Sequence, residues 1–334
     1  MMRIQSNMMK HTLAIITAVL IAPLASLIAE TVTIVTSEQG LRIDINGQLF
    51  TEYVVKDTPR PFMYPLIGAA GESVVRNFPM KQGVPGEERF LDHKHHRSLW
   101  FAHGKVNGIN FWGEDLVSGK QEHAGFSEIK ATGNEGAFIA TTKWVAPTGE
   151  IVVTDERRIV ITALPDGERT LDFNITLKAT ESDVLFGDTK EGTMAMRLCP
   201  SLSMNSSKSG VSTGPSTGRA FNSNGDRDKD IWGKHANWVC YYGPDPKGNP
   251  VSVVIFSHPG NMRSPATWHA RDYGLFAVNP FGLHDFEPDK PAGAGDYKIK
   301  KGDSLTLRYR FYFAKGQADV AKLDAAFAVF GKTK

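Results

Sequence analysis

After its first thirty residues the chain alternates apolar and polar side chains in short runs. The clearest is SLTLRYRFYFAKG, 304–316: Leu305, Leu307, Tyr309, Phe311 and Phe313 share one parity, and Thr306, Arg308, Arg310 and Tyr312 the other. Successive strand side chains point to opposite faces, so this period predicts a half-buried antiparallel strand. The same period predicts strands in GAFIATTKWVA (136–146), EIVVTDERRIVITAL (150–164), RTLDFNITLKA (169–179), NWVCYYG (237–243) and VSVVIFSHP (251–259). LRIDINGQLFTEYVV (41–55) reads as a hairpin turning at Asn46-Gly47, and LPDGER (164–169) marks another turn. Helical spacing is convincing once, in QADVAKLDAAFAVFGK (317–332), where Val320, Leu323, Phe327 and Phe330 recur between Asp319 and Gly331. Many strands, tight turns and one peripheral helix predict an all-β fold: a large antiparallel β-sandwich with one C-terminal helix.

Two segments break the pattern. Residues 201–236 are rich in Ser, Gly, Asn and charge and carry neither period. Strands of similar character lie on both sides, so they read as a long loop on a single domain, 30–334, rather than as a linker between two. Residues 1–29 place Arg3 and Lys10 before an apolar run from Leu13 to Leu24, then Ala25, Ser26 and Ala29. That order is a secretory signal peptide, and the apolar run is short for a membrane span. The expected location is periplasmic or extracellular, with no membrane association after cleavage. Composition adds little: 334 residues, 41% hydrophobic, supply ample core, and a net charge of +2 without a basic stripe argues against a nucleic-acid partner. Cys199 and Cys240 could pair in an oxidising compartment or remain small buried thiols.

Candidate chemistry gathers in three stretches. DHKHHRSLWFAHG, 92–104, holds His93, His95, His96 and His103, with VNGINFWGED behind it bringing Trp112, Glu114 and Asp115. If 97–103 is a strand, Arg97, Leu99, Phe101 and His103 share one face, and Ser98, Trp100 and Ala102 the other. A metal site would need three or four ligands converging from His93, His95, His96 or His103; a divalent metal is possible, but an acid–base site requires no cofactor. FGDTKEGTMAMRL, 186–198, sets Asp188 and Glu191 around Lys190 on a glycine-bounded loop, where carboxylates serve as acid, base or ligand or simply face water. SHPGNMRSPATWHARDYGLFAVNPFG, 257–282, holds His258, Trp268, His269, Arg271 and Tyr273. There imidazole can move a proton and guanidinium can hold an oxyanion, or Arg271 can sit in an ordinary ion-pair network. Trp112, Trp232, Trp268 and Tyr273 would suit the C–H faces of sugars or plain core packing, the latter expected of Trp100.

Taken together, HHRSLWFAHGKVNGINFW, FGDTKEGTMAMRL and HPGNMRSPATWHARDYGLFAVNPFG resemble a secreted bacterial family labelled methane oxygenase PmoA, over nearly the whole chain after its first segment. A membrane copper monooxygenase subunit would carry several apolar spans of about 20 residues. None follows residue 30, so the family name is carried over without its activity. The resemblance implies a sandwich similar to galactose mutarotase and a carbohydrate role. Carried over position by position, it implies functional roles for His95, His96, His103, Asp188, Glu191, His258 and His269, with Arg97 and Arg271. Ser98 stands where the family pattern has glycine.

The expected function is that of a secreted carbohydrate-active enzyme working on a sugar or glycoside by His/carboxylate acid–base chemistry, as hydrolase, lyase or epimerase. His96, His103, Asp188, Glu191 and His269 are the catalytic candidates. His95, Arg97, Trp112, His258, Trp268, Arg271 and Tyr273 are the substrate-binding ones. The alternatives are a His-ligated metal enzyme, an oxygenase as the label implies, and a non-catalytic glycan-binding protein.

Overall fold

The computed structural model describes residues 30–204 and 216–333; the segment read as a signal peptide and the middle of the 201–236 excursion lie outside the described residues. Two large antiparallel sheets dominate. The first runs, in spatial order, through Val32–Thr36, Gly40–Ile45, Gln48–Val54, Phe62–Tyr64, Leu99–His103, Gly192–Arg197, Leu275–Val278, Ala266–Ala270 and His235–Ala236. The second runs through Arg219–Asn222, Trp238–Pro244, Pro250–Ser257, Ser304–Lys315, Arg169–Lys178, Ile151–Ala163, Glu135–Val145 and Lys120–Thr132. Val184–Phe186 pairs separately with Tyr297–Ile299.

The period-2 runs become these strands because one parity of each is apolar enough to be buried. Leu305, Leu307, Tyr309, Phe311 and Phe313 enter one continuous core with Phe50 and Phe101 of the first sheet. Burying such side chains is worth about 1.5–3 kcal/mol each. Within that core, Arg157 of the second sheet pairs with Asp155 at 2.8 Å, and Trp144 Nε1 donates to the same carboxylate at 2.7 Å. The Asn46-Gly47 turn has both residues at positive φ, 53° and 71°, as a tight hairpin demands.

The helix forms at Val320–Phe330, with the Asp319 side chain accepting from Lys322 N at 3.1 Å. Leu323 and Phe330 are buried against Trp238, Phe256 and Tyr312, whereas Val320 stays exposed. The excursion is less open than its composition predicts, since its described part includes Arg219–Asn222, a 3₁₀ turn at Asp228–Ile231, and His235–Ala236. Cys199 and Cys240 are free, buried thiols in separate clusters; burial pushes them up to about 11 and about 12. Among the described residues no helix is long and apolar enough to cross a membrane.

Candidate functional site

The central strands of the first sheet bury both faces. Leu99, Phe101, Met194, Met196, Phe276 and Val278 point into the sandwich. Trp100, Ala102, Ala195, Leu275 and Ala277 point outward into a second apolar cluster with Trp112. A cavity of about 460 Å³ sits against this outer side, lined by His93–His96, Asn110–Asp115 without Phe111, Lys190, Glu191, His269, Arg271 and Tyr273. All three sequence stretches meet there.

The 92–98 loop shapes one wall. His93 and Ser98 both have positive φ, 46° and 55°, so the chain curls instead of extending. The curl stacks His93 on His96, with ring centroids 4.7 Å apart and planes 12° apart, and sets His95 edge-on to His96 at 4.5 Å. His96 lies in turn over Trp100 at 5.3 Å, and His93 over Tyr273 at 5.6 Å.

Buried arginines surround this stack. Arg197 donates from Nη1 to His96 Nδ1 at 3.1 Å and from Nη2 to Asp92 at 3.0 Å. Arg76 donates to the same Asp92 oxygen at 2.9 Å. Arg97 grips Glu114 with two bonds, 2.7 and 2.8 Å, and Arg60 approaches that carboxylate at 3.6 Å. Burial opposes the charge on Asp92, but the bond from His93 and the fields of Arg197 and Arg76 outweigh it and hold Asp92 well below the usual carboxylate range.

The histidines respond oppositely. Burial, reinforced by Arg197 and the neighbouring imidazoles, pushes His96 well below its ordinary value. Burial and Arg60 push His95 down to about 4. Burial brings His269 to about 4 as well, with Arg271 adding to the effect and the Lys190 carbonyl opposing it. All three are therefore neutral at pH 7.

Their tautomers follow from their partners. A guanidinium can only donate, so His96 Nδ1 is the acceptor and its proton rides on Nε2. A carbonyl can only accept, so His269 Nδ1 donates to Lys190 O at 2.9 Å and leaves Nε2 bare. Neither Nε2 atom has a partner among the described residues. One cavity thus presents an imidazole N–H donor and an imidazole lone pair.

A model of the family of unknown function DUF6807 matches residues 40–328. The chain belongs to that family. Its model carries no methane-oxygenase label, so the resemblance read from the three motifs gains no support from it. No curated protein matches the chain. Among solved structures, the Slr1438 protein from Synechocystis sp. PCC 6803 is similar at 9% identity and TM-score 0.33, covering 86% of this chain and 92% of that one. The alpha-galactosidase from Lactobacillus brevis is similar at 7% identity and TM-score 0.25, over 65% of this chain and 29% of that one. A galactose mutarotase related enzyme from Lactobacillus acidophilus is similar at 12% identity and TM-score 0.25, over 86% and 98%. These likenesses are too distant to carry an activity across.

In this DUF6807 chain, several candidates lie outside the cavity, His103 and Trp268 for reasons of parity. His103 shares the inward face with Leu99 and Phe101; its Nε2 donates to Gly187 O at 2.7 Å and its ring packs on Phe281. Trp268 precedes His269 by one residue and so points into the core, donating to Ala236 O at 3.0 Å. Asp188 ties loops together, accepting from Gly295 N at 2.9 Å and His284 N at 3.2 Å. His258 packs on Phe330 of the C-terminal helix, and its Nδ1 accepts from Gly260 N at 3.0 Å. Arg97 is committed to Glu114 and positions it, rather than lining the cavity. His95, His96, Trp112, Glu191, His269, Arg271 and Tyr273 line it.

The metal alternative fails a fit test. Among the described residues no three His, Cys, Asp or Glu side chains are placed to hold a metal ion. The rings of His93, His95 and His96 pack against one another, and two of their Nδ1 atoms are taken by Asp92 and Arg197. Sequence reasoning overlooked Arg60, Arg76 and Arg197. Each is a lone arginine at the edge of an apolar run, and such arginines are buried only with partners that the run does not display.

Proposed function

We propose that the protein is a secreted enzyme that transfers a proton on a sugar or glycoside bound in this cavity. His269 Nε2 is the base, and His96 Nε2–H donates to the substrate oxygen that gains charge. The observation that carries this reading is the pairing of two buried, neutral imidazoles in opposite tautomers on one cavity. Proton removal needs a lone pair, and the charge left behind needs a fixed donor in a water-poor site. Trp112 and Tyr273 line the cavity, Trp112 only 2% exposed and the Tyr273 ring stacked on His93.

Lyase or epimerase chemistry fits the groups better than hydrolysis by a carboxylate pair. Glu191 faces the cavity, but Asp188 does not, Glu114 is held by Arg97, and Asp115 accepts from Ser118 at 2.6 Å. Paired-carboxylate hydrolysis needs two free carboxyls about 5–9.5 Å apart across the bond.

The test is solvent-deuterium exchange into sugar carbons, followed by proton NMR across a panel of monosaccharides, uronates and glycosides. His269→Ala should slow exchange or turnover by about 100- to 10,000-fold while the melting temperature stays that of a folded protein. Wild-type rates in His269→Ala, or no exchange with any member of the panel, would remove the proposal.

A further inference from the structure

We propose that the cavity selects a sugar carrying an anionic substituent, bound through the Arg271 guanidinium. This rests on the sugar-directed reading above and adds the substrate's charge. Arg271 is half-buried in the cavity wall, over the rings of Trp232 at 5.9 Å and Tyr273 at 5.5 Å. Among the described residues its side chain has no hydrogen bond and no ion pair. The adjacent Asp272 is taken by Lys229 at 3.3 Å.

The other acids near the cavity are spoken for. Glu114 serves Arg97 and Arg60, Asp92 serves Arg76 and Arg197, Glu191 lies 3.5 Å from Lys190, and Asp115, with no cationic partner among the described residues, accepts from Ser118 at 2.6 Å. Lys94, at the rim, also lacks an ion pair among the described residues. Cationic groups therefore outnumber free carboxylates around the hollow. Burial is the main cause that depresses the histidines, and Arg60, Arg197 and Arg271 each add to it at one of them.

A neutral sugar offers Arg271 only uncharged hydroxyl acceptors and leaves its positive charge uncompensated, at a desolvation cost. An anion supplies paired acceptors to the planar fork, and charge-assisted bonds are roughly twice as strong as neutral ones. Carboxylate and sulfate share this chemistry. Binding either one also cancels the repulsion that Arg271 exerts on protonated His269. The bound anion thus brings the base's affinity for a proton nearer to neutrality.

The test is calorimetric titration of the full chain with D-galacturonate, galactose 6-sulfate and D-galactose, and with D-glucuronate and D-glucose. At low salt, at least one charged sugar should bind tenfold or more tightly than its neutral parent, with the preference shrinking as salt rises. The uronate and sulfate arms identify which anion is read. Arg271→Gln should erase the preference and Arg271→Lys should keep part of it, with melting temperatures confirming that both fold. Equal binding of neutral parents, no binding of charged sugars at millimolar concentration, or a preference that survives Arg271→Gln would overturn the inference. An Arg271-dependent preference without any proton exchange would leave the anion site standing and remove the catalytic reading. His269-dependent exchange without a charge preference would do the reverse.

Discussion

Ser98 concentrates the tension between shape and chemistry at a single residue. Its φ of 55° is left-handed, where any Cβ is strained, and its hydroxyl is buried without a partner among the described residues. The curl it makes is what turns His95 and His96 toward the cavity before the chain straightens into Leu99–His103. Glycine adopts this conformation freely. Ser98→Gly should therefore stabilise the fold by about 1 kcal/mol, combining relieved strain and a removed orphan hydroxyl against glycine's entropy cost. A urea midpoint at or below wild type would contradict that account.

The C-terminal helix shows how an element can be anticipated and still dock differently from its pattern. Asp319 caps it, Trp238 Nε1 donates to Asp324 at 2.9 Å and Lys322 pairs with Glu168 at 2.8 Å, so polar bonds help fix a helix whose buried side chains are Leu323 and Phe330. Val320 shares the apolar spacing yet is 48% exposed. Asp319→Ala should cost about 1 kcal/mol and speed amide exchange in the first turn, at 320–323, more than in the sheets. Uniform exchange rates across helix and sheets would show that the cap does not govern this end.

For the whole molecule, the buried imidazoles set the response to acid. His95, His103 and His269 are each held down to about 4 by burial first, against an unfolded value near 6.5. The unfolded chain therefore binds more protons between those values. Stability is fully present above about pH 6.5 and is lost as pH falls toward about 4. Each pKa unit on a buried group is worth roughly 1.4 kcal/mol, so the combined loss is on the order of several kcal/mol. Asp92, held low, adds its own loss only at lower pH. Urea unfolding midpoints at intervals from pH 7.5 to 4.5 should fall steeply below 6.5; a flat profile would mean that these imidazoles are not sequestered.

Local pattern was enough to place most strands, the Asn46-Gly47 hairpin and the capped helix. Each depends on side chains close together in the chain and on the period that separates a buried face from a wet one. Parity even held the clue that His103 belongs with Leu99 and Phe101, and that Trp268 faces away from His269. The order of strands in the sheet was beyond it. Leu99–His103 pairs with Gly192–Arg197, which pairs with Leu275–Val278, and those registers join residues that are remote in sequence. Only that long-range pairing brings Arg197 under His96 and the Lys190 carbonyl against His269. The tautomers, and with them the division of labour between the two imidazoles, come from tertiary structure, because a ring nitrogen's role is set by whichever partner the folded chain puts against it.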